Sequence, residues 1–139
     1  MVVASFSGPS NSGKTTFLEL LIPRLCKEGI RVGVLKHCHH PLHDRDSSDS
    51  KRLERAGASP SRAILHRDFN KAKQMYKGCD LLLVEGFRSA QLPTFIVYRD
   101  TLEPAWERPT HIIDFLDLNN KEACIKQAFC YFIQKLKRT

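Results

Sequence analysis

What the chain lacks narrows its reading first. No apolar run approaches the roughly 20 residues that a membrane-spanning helix needs. The opening Met1-Val2-Val3-Ala4-Ser5-Phe6 has no basic region and no cleavage signature, so it reads as a strand rather than a signal peptide. The five cysteines (Cys26, Cys38, Cys79, Cys124 and Cys130) are odd in number and scattered, with no Cys-x-x-Cys pair. That argues against a disulfide scaffold and for reduced thiols in a cytoplasmic protein. No repeat or low-complexity tract stands out. The proline-bearing segments near Pro93 and from Pro104 to Pro109 read as loops, not domain boundaries. At 139 residues the chain is expected to form one domain over 1–139, with no room for a separate lid. Acidic residues are the minority, 15 against 22 basic ones, and the formal charge of +7 favours anionic partners without choosing among them.

Apolar periodicity supplies the framework. Val2 to Ser7 reads as a buried strand. Lys14 to about Glu28 reads as a helix, with Phe17, Leu18, Leu21 and Leu25 on one face and a kink expected at Pro23. Ile30 to Lys36 is a second strand, and His37 to Ser50 reads as a loop. A short helix is expected over Lys51 to Ala56, capped by Asp49 or Ser50, then a short strand over Arg62 to Leu65 and a helix over Phe69 to Lys77. Leu81 to Val84 is a fully apolar strand ending at Glu85-Gly86, and Thr94 to Tyr98 is another. Asn119 or Asn120 would cap a last helix with Ile125, Ala128, Phe129, Phe132, Ile133 and Leu136 at core spacing. Strands alternating with helices predict an α/β fold with a mostly parallel sheet and helices on both faces.

The first loop carries chemistry. Gly8-Pro9-Ser10-Asn11-Ser12-Gly13-Lys14-Thr15-Thr16 fits G-x-x-x-x-G-K-[ST], between a strand and a helix as that motif requires. Glycines permit a tight path on which backbone N–H groups converge on an anion. The helix that follows directs its positive end at the same point. Lys14 is expected against the β- and γ-phosphates, and the Thr15 hydroxyl on magnesium. Glu85, at the carboxyl end of an apolar strand, is the expected carboxylate for that ion. These features predict a P-loop NTPase fold.

A second cluster, Lys36-His37-Cys38-His39-His40 with His43 and Asp44, admits more than one reading. Zinc binding needs convergence, yet neighbouring residues of a strand face opposite sides. The other readings are a solvated polar loop, or a closing element of the active edge. In the last, Lys36 contacts phosphate and His37 or His39 donates to an anionic substrate or orients water. Asp44 to Ser50 would add magnesium or water contacts.

Together these segments resemble the MobB family, molybdopterin-guanine dinucleotide biosynthesis protein B. The resemblance rests on Gly8 to Thr16, on Lys36 to His40, on Asp49-Ser50 followed by Ala56-Gly57-Ala58, and on Leu83-Val84-Glu85-Gly86-Phe87. Leu21-Ile22-Pro23 also looks like the family's first helix. It implies a GTP-binding protein with weak GTPase activity, usually a homodimer. Such a protein assists the molybdenum cofactor guanylyltransferase that joins GMP to molybdopterin, so a molybdopterin-type ligand is a candidate too. Carried over by motif, Gly8 to Thr15 bind phosphate, Glu85 serves the magnesium region, and His37, His39 and Asp49 belong to the adjoining pocket. Two departures stand out. Ser47-Ser48 replace the family's Gly-Lys, removing a phosphate-binding lysine. The part after Tyr98 looks short, without the further strand family members commonly carry and without an Asn-Lys-x-Asp guanine reader, which leaves ATP open beside GTP.

The expected chemistry is nucleotide binding with slow hydrolysis, because no arginine finger is evident and such a residue contributes a factor of about 10³–10⁵. A small ATP-dependent kinase is the first alternative, weakened by the lack of a lid. A nucleic-acid-binding module, suggested by Lys135, Lys137 and Arg138, is the second. It lacks a recognisable reading motif, and those cations also complement a helix end.

Overall fold

The computed structural model describes residues 1–9, 12–38, 44–65, 68–87, 90–103 and 108–137; of 44–47 it describes the backbone alone. The strands are β1 (Val2–Ser7), β2 (Val32–His37), β3 (Ser61–Ile64), β4 (Leu81–Glu85), β5 (Thr94–Tyr98) and β6 (Ile112–Asp117). The helices are α1 (Lys14–Lys27), α2 (Asp44–Ala56), α3 (Phe69–Lys73) and α4 (Lys121–Lys137), with 3-10 turns at Gln74–Tyr76 and Leu118–Asn120. The strands form one sheet in the order β3-β2-β4-β1-β5-β6, and every pairing is parallel.

Register fixes which residues share a face. In a strand alternate side chains point the same way, so Ala4 and Phe6 of β1 lie on one face with Val32 and Val34 of β2, Leu81 and Leu83 of β4, and Phe95 and Val97 of β5. The apolar stripes of α1, α2 and α4 cover that face through residues such as Leu21, Leu53 and Phe132. Phe6 is the hub, with ring centroids 5.8 Å from Phe17, 5.3 Å from Phe95 and 6.2 Å from Phe132. The opposite face carries Leu35, Leu82 and Val84, covered by Ala72 of α3, Tyr76 and Phe87. The Tyr76 hydroxyl donates to the Val34 carbonyl at 2.7 Å. β4 is buried along its whole length, as its run of apolar residues requires of a central parallel strand.

The structure differs from the expected elements in several places. Asp44 to Ser50 is not a loop: α2 begins at Asp44, and Asp49 and Ser50 lie inside it, not at its cap. Aspartate and serine are poor helix formers, so docking stabilises this segment. Leu53 is buried against α1, Arg52 pairs with Glu19, and Ser50 donates to the Ser61 carbonyl at 2.7 Å. The helix expected over Phe69 to Lys77 splits into α3, capped by the Asp68 side chain, and a 3-10 turn. A strand does follow Tyr98: β6 pairs with β5. Its sequence alternates poorly because it is an edge strand whose Ile112 and Phe115 side chains are exposed. A 3-10 turn, Leu118–Asn120, precedes α4 and is capped by Asp117, which accepts from the Asn119 N–H at 3.0 Å; α4 starts at Lys121, directly after Asn120. α1 runs through Pro23 to Lys27. Among the described residues no helix is long and apolar enough to cross a membrane.

Candidate functional site

The carboxyl ends of β1, β4 and β2 lie side by side, and the motif residues gather there. Register aligns Phe6 with Glu85 and Glu85 with Lys36, so Glu85 and Lys36 share the face that α1 and α2 cover. Glu85 is only 8% exposed. It stands at the carboxyl end of a central parallel strand, the end of open α/β sheets where ligands bind.

Three observations describe the first loop and the start of α1. A Cβ on Gly8 would lie 1.9 Å from the Val97 carbonyl oxygen, so only glycine lets the loop pass β5 this closely. Gly13 opens α1 in the left-handed conformation at φ 94°, with no side-chain cap and no acidic residue in the first turn. The N–H groups at that helix start are thus not covered by a capping side chain. Ser12 is buried, and its hydroxyl has no hydrogen-bond partner among the described residues. Buried polar atoms are normally paired, so this one is an orphan that phosphate oxygens would satisfy. Lys14 Nζ donates to the Gly8 carbonyl at 2.8 Å, folding the cation over the loop that carries it. Thr15 and Thr16 lie in the first turn of α1. Ser10, Asn11, His39, His40 and His43 lie outside the described residues.

Lys36 forms a half-buried ion pair with Asp49 of α2 at 3.1 Å. The two residues assigned from sequence to phosphate and to magnesium therefore meet each other. Arg52, not singled out from the sequence, extends this pair. Its guanidinium donates to both Glu19 carboxylate oxygens at 2.9 Å, lies 3.3 Å from the Thr16 hydroxyl and 3.8 Å from Asp49. The hydrogen bond from Arg52 holds the Glu19 carboxyl below the usual carboxylate range, and the same bond raises Arg52. One helical turn separates Asp49 from Arg52, the spacing that puts both on one face. That was the available signal, and reading Asp44 to Ser50 as a loop hid it.

His37 packs instead of projecting. Its ring stacks on Phe87, with centroids 4.0 Å apart and planes at 21°. The turn after Glu85 makes this stack: Gly86 has φ 88°, Phe87 has φ 56°, and a Cβ on Gly86 would come within 3.1 Å of His37 Cβ. A bulky residue in the left-handed region is strained, and such strain concentrates at functional sites. Among the described residues no group of three or more histidine, cysteine, aspartate or glutamate side chains is arranged to hold a metal.

A second pair comes from separate strand ends. Asn119, after β6, donates from Nδ2 to the Asp100 carboxylate, after β5, at 2.7 Å. Asp100 has φ 69°, and Arg99 beside it lies against Gly13, with Nη2 3.2 Å from where a Cβ would stand. No contiguous motif announces this constellation, because 19 positions separate the pair.

The chain has clear relatives. A family model described as Molybdopterin guanine dinucleotide synthesis protein B matches residues 3–116. A protein of Escherichia coli named molybdopterin-guanine dinucleotide biosynthesis adapter protein is 33% identical over 126 residues, covering 78% of this chain and 70% of its own length. The Haemophilus influenzae protein of that name is 37% identical over 113 residues, covering 69% and 62%. The chain thus spans about two thirds of the length of these relatives. Among solved structures, a MobB homolog from Bacillus stearothermophilus superposes with a TM-score of 0.58 at 21% identity, covering 100% of both chains. A de novo designed protein of P-loop NTPase fold gives 0.58 at 14% identity, covering 98% of this chain and 93% of its own. The architecture is therefore that of the P-loop NTPases. With a family match across most of its length and relatives above 30% identity, the chain belongs to the MobB family.

Proposed function

We propose that the chain is a magnesium-dependent GTP-binding protein with slow hydrolysis, acting as an adapter in the assembly of molybdopterin guanine dinucleotide. The observation that carries the nucleotide reading is the uncapped start of α1, with an orphaned Ser12 hydroxyl and a glycine at Gly8 that no other residue can replace. In this reading Gly8, Ser10, Asn11, Ser12, Gly13 and Thr16 line the phosphates, and Lys14 leaves the Gly8 carbonyl to neutralise the β- and γ-oxygens. Thr15 and Glu85 hold magnesium, which spreads the charge of the phosphates when bound. Lys36, His39 and Asp49 belong to the neighbouring wall, and His37, stacked on Phe87, supports the turn after Glu85. Asp49 reaches the ion only if its pair with Lys36 opens, so it serves better as a tether of α2.

Asp100 supports guanine over adenine. A carboxylate oriented by an amide is the acceptor that guanine's N1–H and N2–H₂ donors need, whereas adenine presents no such pair of donors. The side chain of Arg99 would flank the base. Slow turnover follows from the state of Arg52: its guanidinium is engaged by Glu19 and Asp49, so it is not poised over a γ-phosphate. The adapter role, with a molybdenum cofactor guanylyltransferase as partner, rests on the names of the relatives. Pairing of two copies is supported by the exposed apolar side chains on edge strand β6. The thiols are all free, in keeping with a reduced, cytoplasmic setting.

Competition of GTP and ATP for the purified protein, with and without magnesium, tests the reading. GTP should bind at least about tenfold tighter than ATP, and Asp100→Ala should erase the difference. Equal affinities would remove the guanine assignment, and no affinity for either would remove the site.

A further inference from the structure

We propose that Arg52 is a positioning residue for the phosphate site: it fixes the Thr16 hydroxyl as an acceptor and so turns that hydroxyl's own proton toward the nucleotide. This role rests on the nucleotide reading above and adds to it a residue that belongs to no phosphate-binding motif. Arg52 stands on α2, 36 positions along the chain from Thr16. It reaches the first turn of α1 because α2 docks there through Leu53.

All three nitrogens of the guanidinium are placed. Nε donates to Glu19 Oε2 and Nη2 to Glu19 Oε1, both at 2.9 Å, so one carboxylate grips the fork at two points. Nη2 carries two N–H groups. One serves Glu19, and the other has the Thr16 hydroxyl 3.3 Å away. Nη1 lies 3.8 Å from one oxygen of Asp49, whose other oxygen accepts from Lys36. A planar group held bidentately cannot swing, so its contact with Thr16 is fixed by its contact with Glu19. Lysine at this position would bring the charge without the fork.

The consequence lies in the hydroxyl. Threonine has one hydrogen to donate and two lone pairs with which to accept. Arg52 takes one lone pair, so the O–H points elsewhere, and no hydrogen bond among the described residues uses it as a donor. Thr16 follows Thr15 in the first turn of α1, the turn whose N–H groups no side chain caps. A cation on the oxygen polarises the O–H and strengthens it as a donor to an anion. Arg52 thereby aids phosphate binding through Thr16 without touching phosphate, while Glu19 keeps the guanidinium itself off the nucleotide.

Titration calorimetry of the full chain with magnesium and a non-hydrolysable GTP analogue tests the role, with urea unfolding of each variant to ensure that binding is read on folded protein. Arg52→Ala and Thr16→Val should each weaken binding about tenfold, and the double variant should lose about the same tenfold, not a hundredfold. Thr16→Ser, which keeps the hydroxyl, should bind as the unaltered chain does. Arg52→Lys should bind as poorly as Arg52→Ala. An Arg52→Ala loss equally large with and without the Thr16 hydroxyl would mean that Arg52 acts only through the docking of α2, and would overturn the role. Unchanged affinity in Arg52→Ala, or full affinity in Arg52→Lys, would overturn it while leaving the nucleotide reading intact. An unaltered chain that binds no analogue would remove that reading and the role together.

Discussion

The two faces of β1 do different work within one strand. Toward α1, Ala4 and Phe6 are locked in an aromatic cluster with Phe17, Phe95 and Phe132, where close packing gives each ring several partners. Away from α1, Ser5 and Ser7 face a hollow that packing does not fill. The sheet's two edges contrast in the same way. At the amino end of β4, Arg31 clasps Asp80 at 3.0 Å and only ties β2 to β4. At the carboxyl end, Lys36, Asp49, Arg52 and Glu19 form a chain of charges that runs from β2 through α2 to the first helix. Both faces carry a core, but only the face away from α1 interrupts it with the serines of β1, and only the carboxyl end links its charges into a chain.

The contrast between faces breaks most sharply at residues 5 and 6. Phe6→Ala should cost about 3–5 kcal/mol in urea unfolding, whereas Ser5→Ala should stay within about 1 kcal/mol. Similar costs for the two would mean that β1 is packed alike on both sides. The edge contrast is tested next by Gly8→Ala. Its Cβ would collide with the Val97 carbonyl, costing about 1–3 kcal/mol and at least about a hundredfold in GTP affinity. Thermal melts and titration calorimetry read the two effects separately.

A smaller effect is expected at Arg52, because its ion pairs with Glu19 are more than one third exposed on the Arg52 side. Arg52→Ala should cost under about 1 kcal/mol, discounted for solvent screening, yet loosen α2 enough to speed hydrogen exchange in its amides. The least effect is in acid. Glu19 and Asp80 each have a carboxyl held below its ordinary range, first by the hydrogen bond from Arg52 and from Arg31 respectively. A carboxyl with a lowered folded value stabilises the protein above its unfolded value and loses that contribution as pH falls through the folded value. Melting temperature should therefore drop below about pH 4.5, and Arg52→Ala should flatten the Glu19 share of that drop. A melting curve unchanged from pH 6 to pH 3 would contradict the pairing.

Where physics acts along the chain, the sequence was readable. The strand-loop-helix at Gly8 to Thr16 and the strand ending at Glu85 combine local pattern with a backbone requirement, so they stand in the fold where the motif put them. The sheet's parallel character followed from the alternation of elements. What the sequence hid depends on partners far away in the chain. α2 is helical through docking of Leu53 and Arg52 onto α1, against the preference of its Asp and Ser residues. β6 is held by its ladder with β5 and carries an edge strand's mixed pattern. Asp100 and Asn119 join across two strand ends, and His37 stacks on Phe87 through a left-handed turn that periodicity does not signal. The serines of β1 looked like ordinary strand residues until register set Ser5 beside Thr94.

The most direct test of the central claim is a crystal structure of the protein with magnesium and a non-hydrolysable GTP analogue. The expected result has the β- and γ-phosphates within hydrogen-bonding distance of the Gly13, Lys14 and Thr15 amides, with Thr15 and Glu85 on the side of the ion. A nucleotide seated away from the start of α1, or a phosphate loop left empty at saturating ligand, would contradict it.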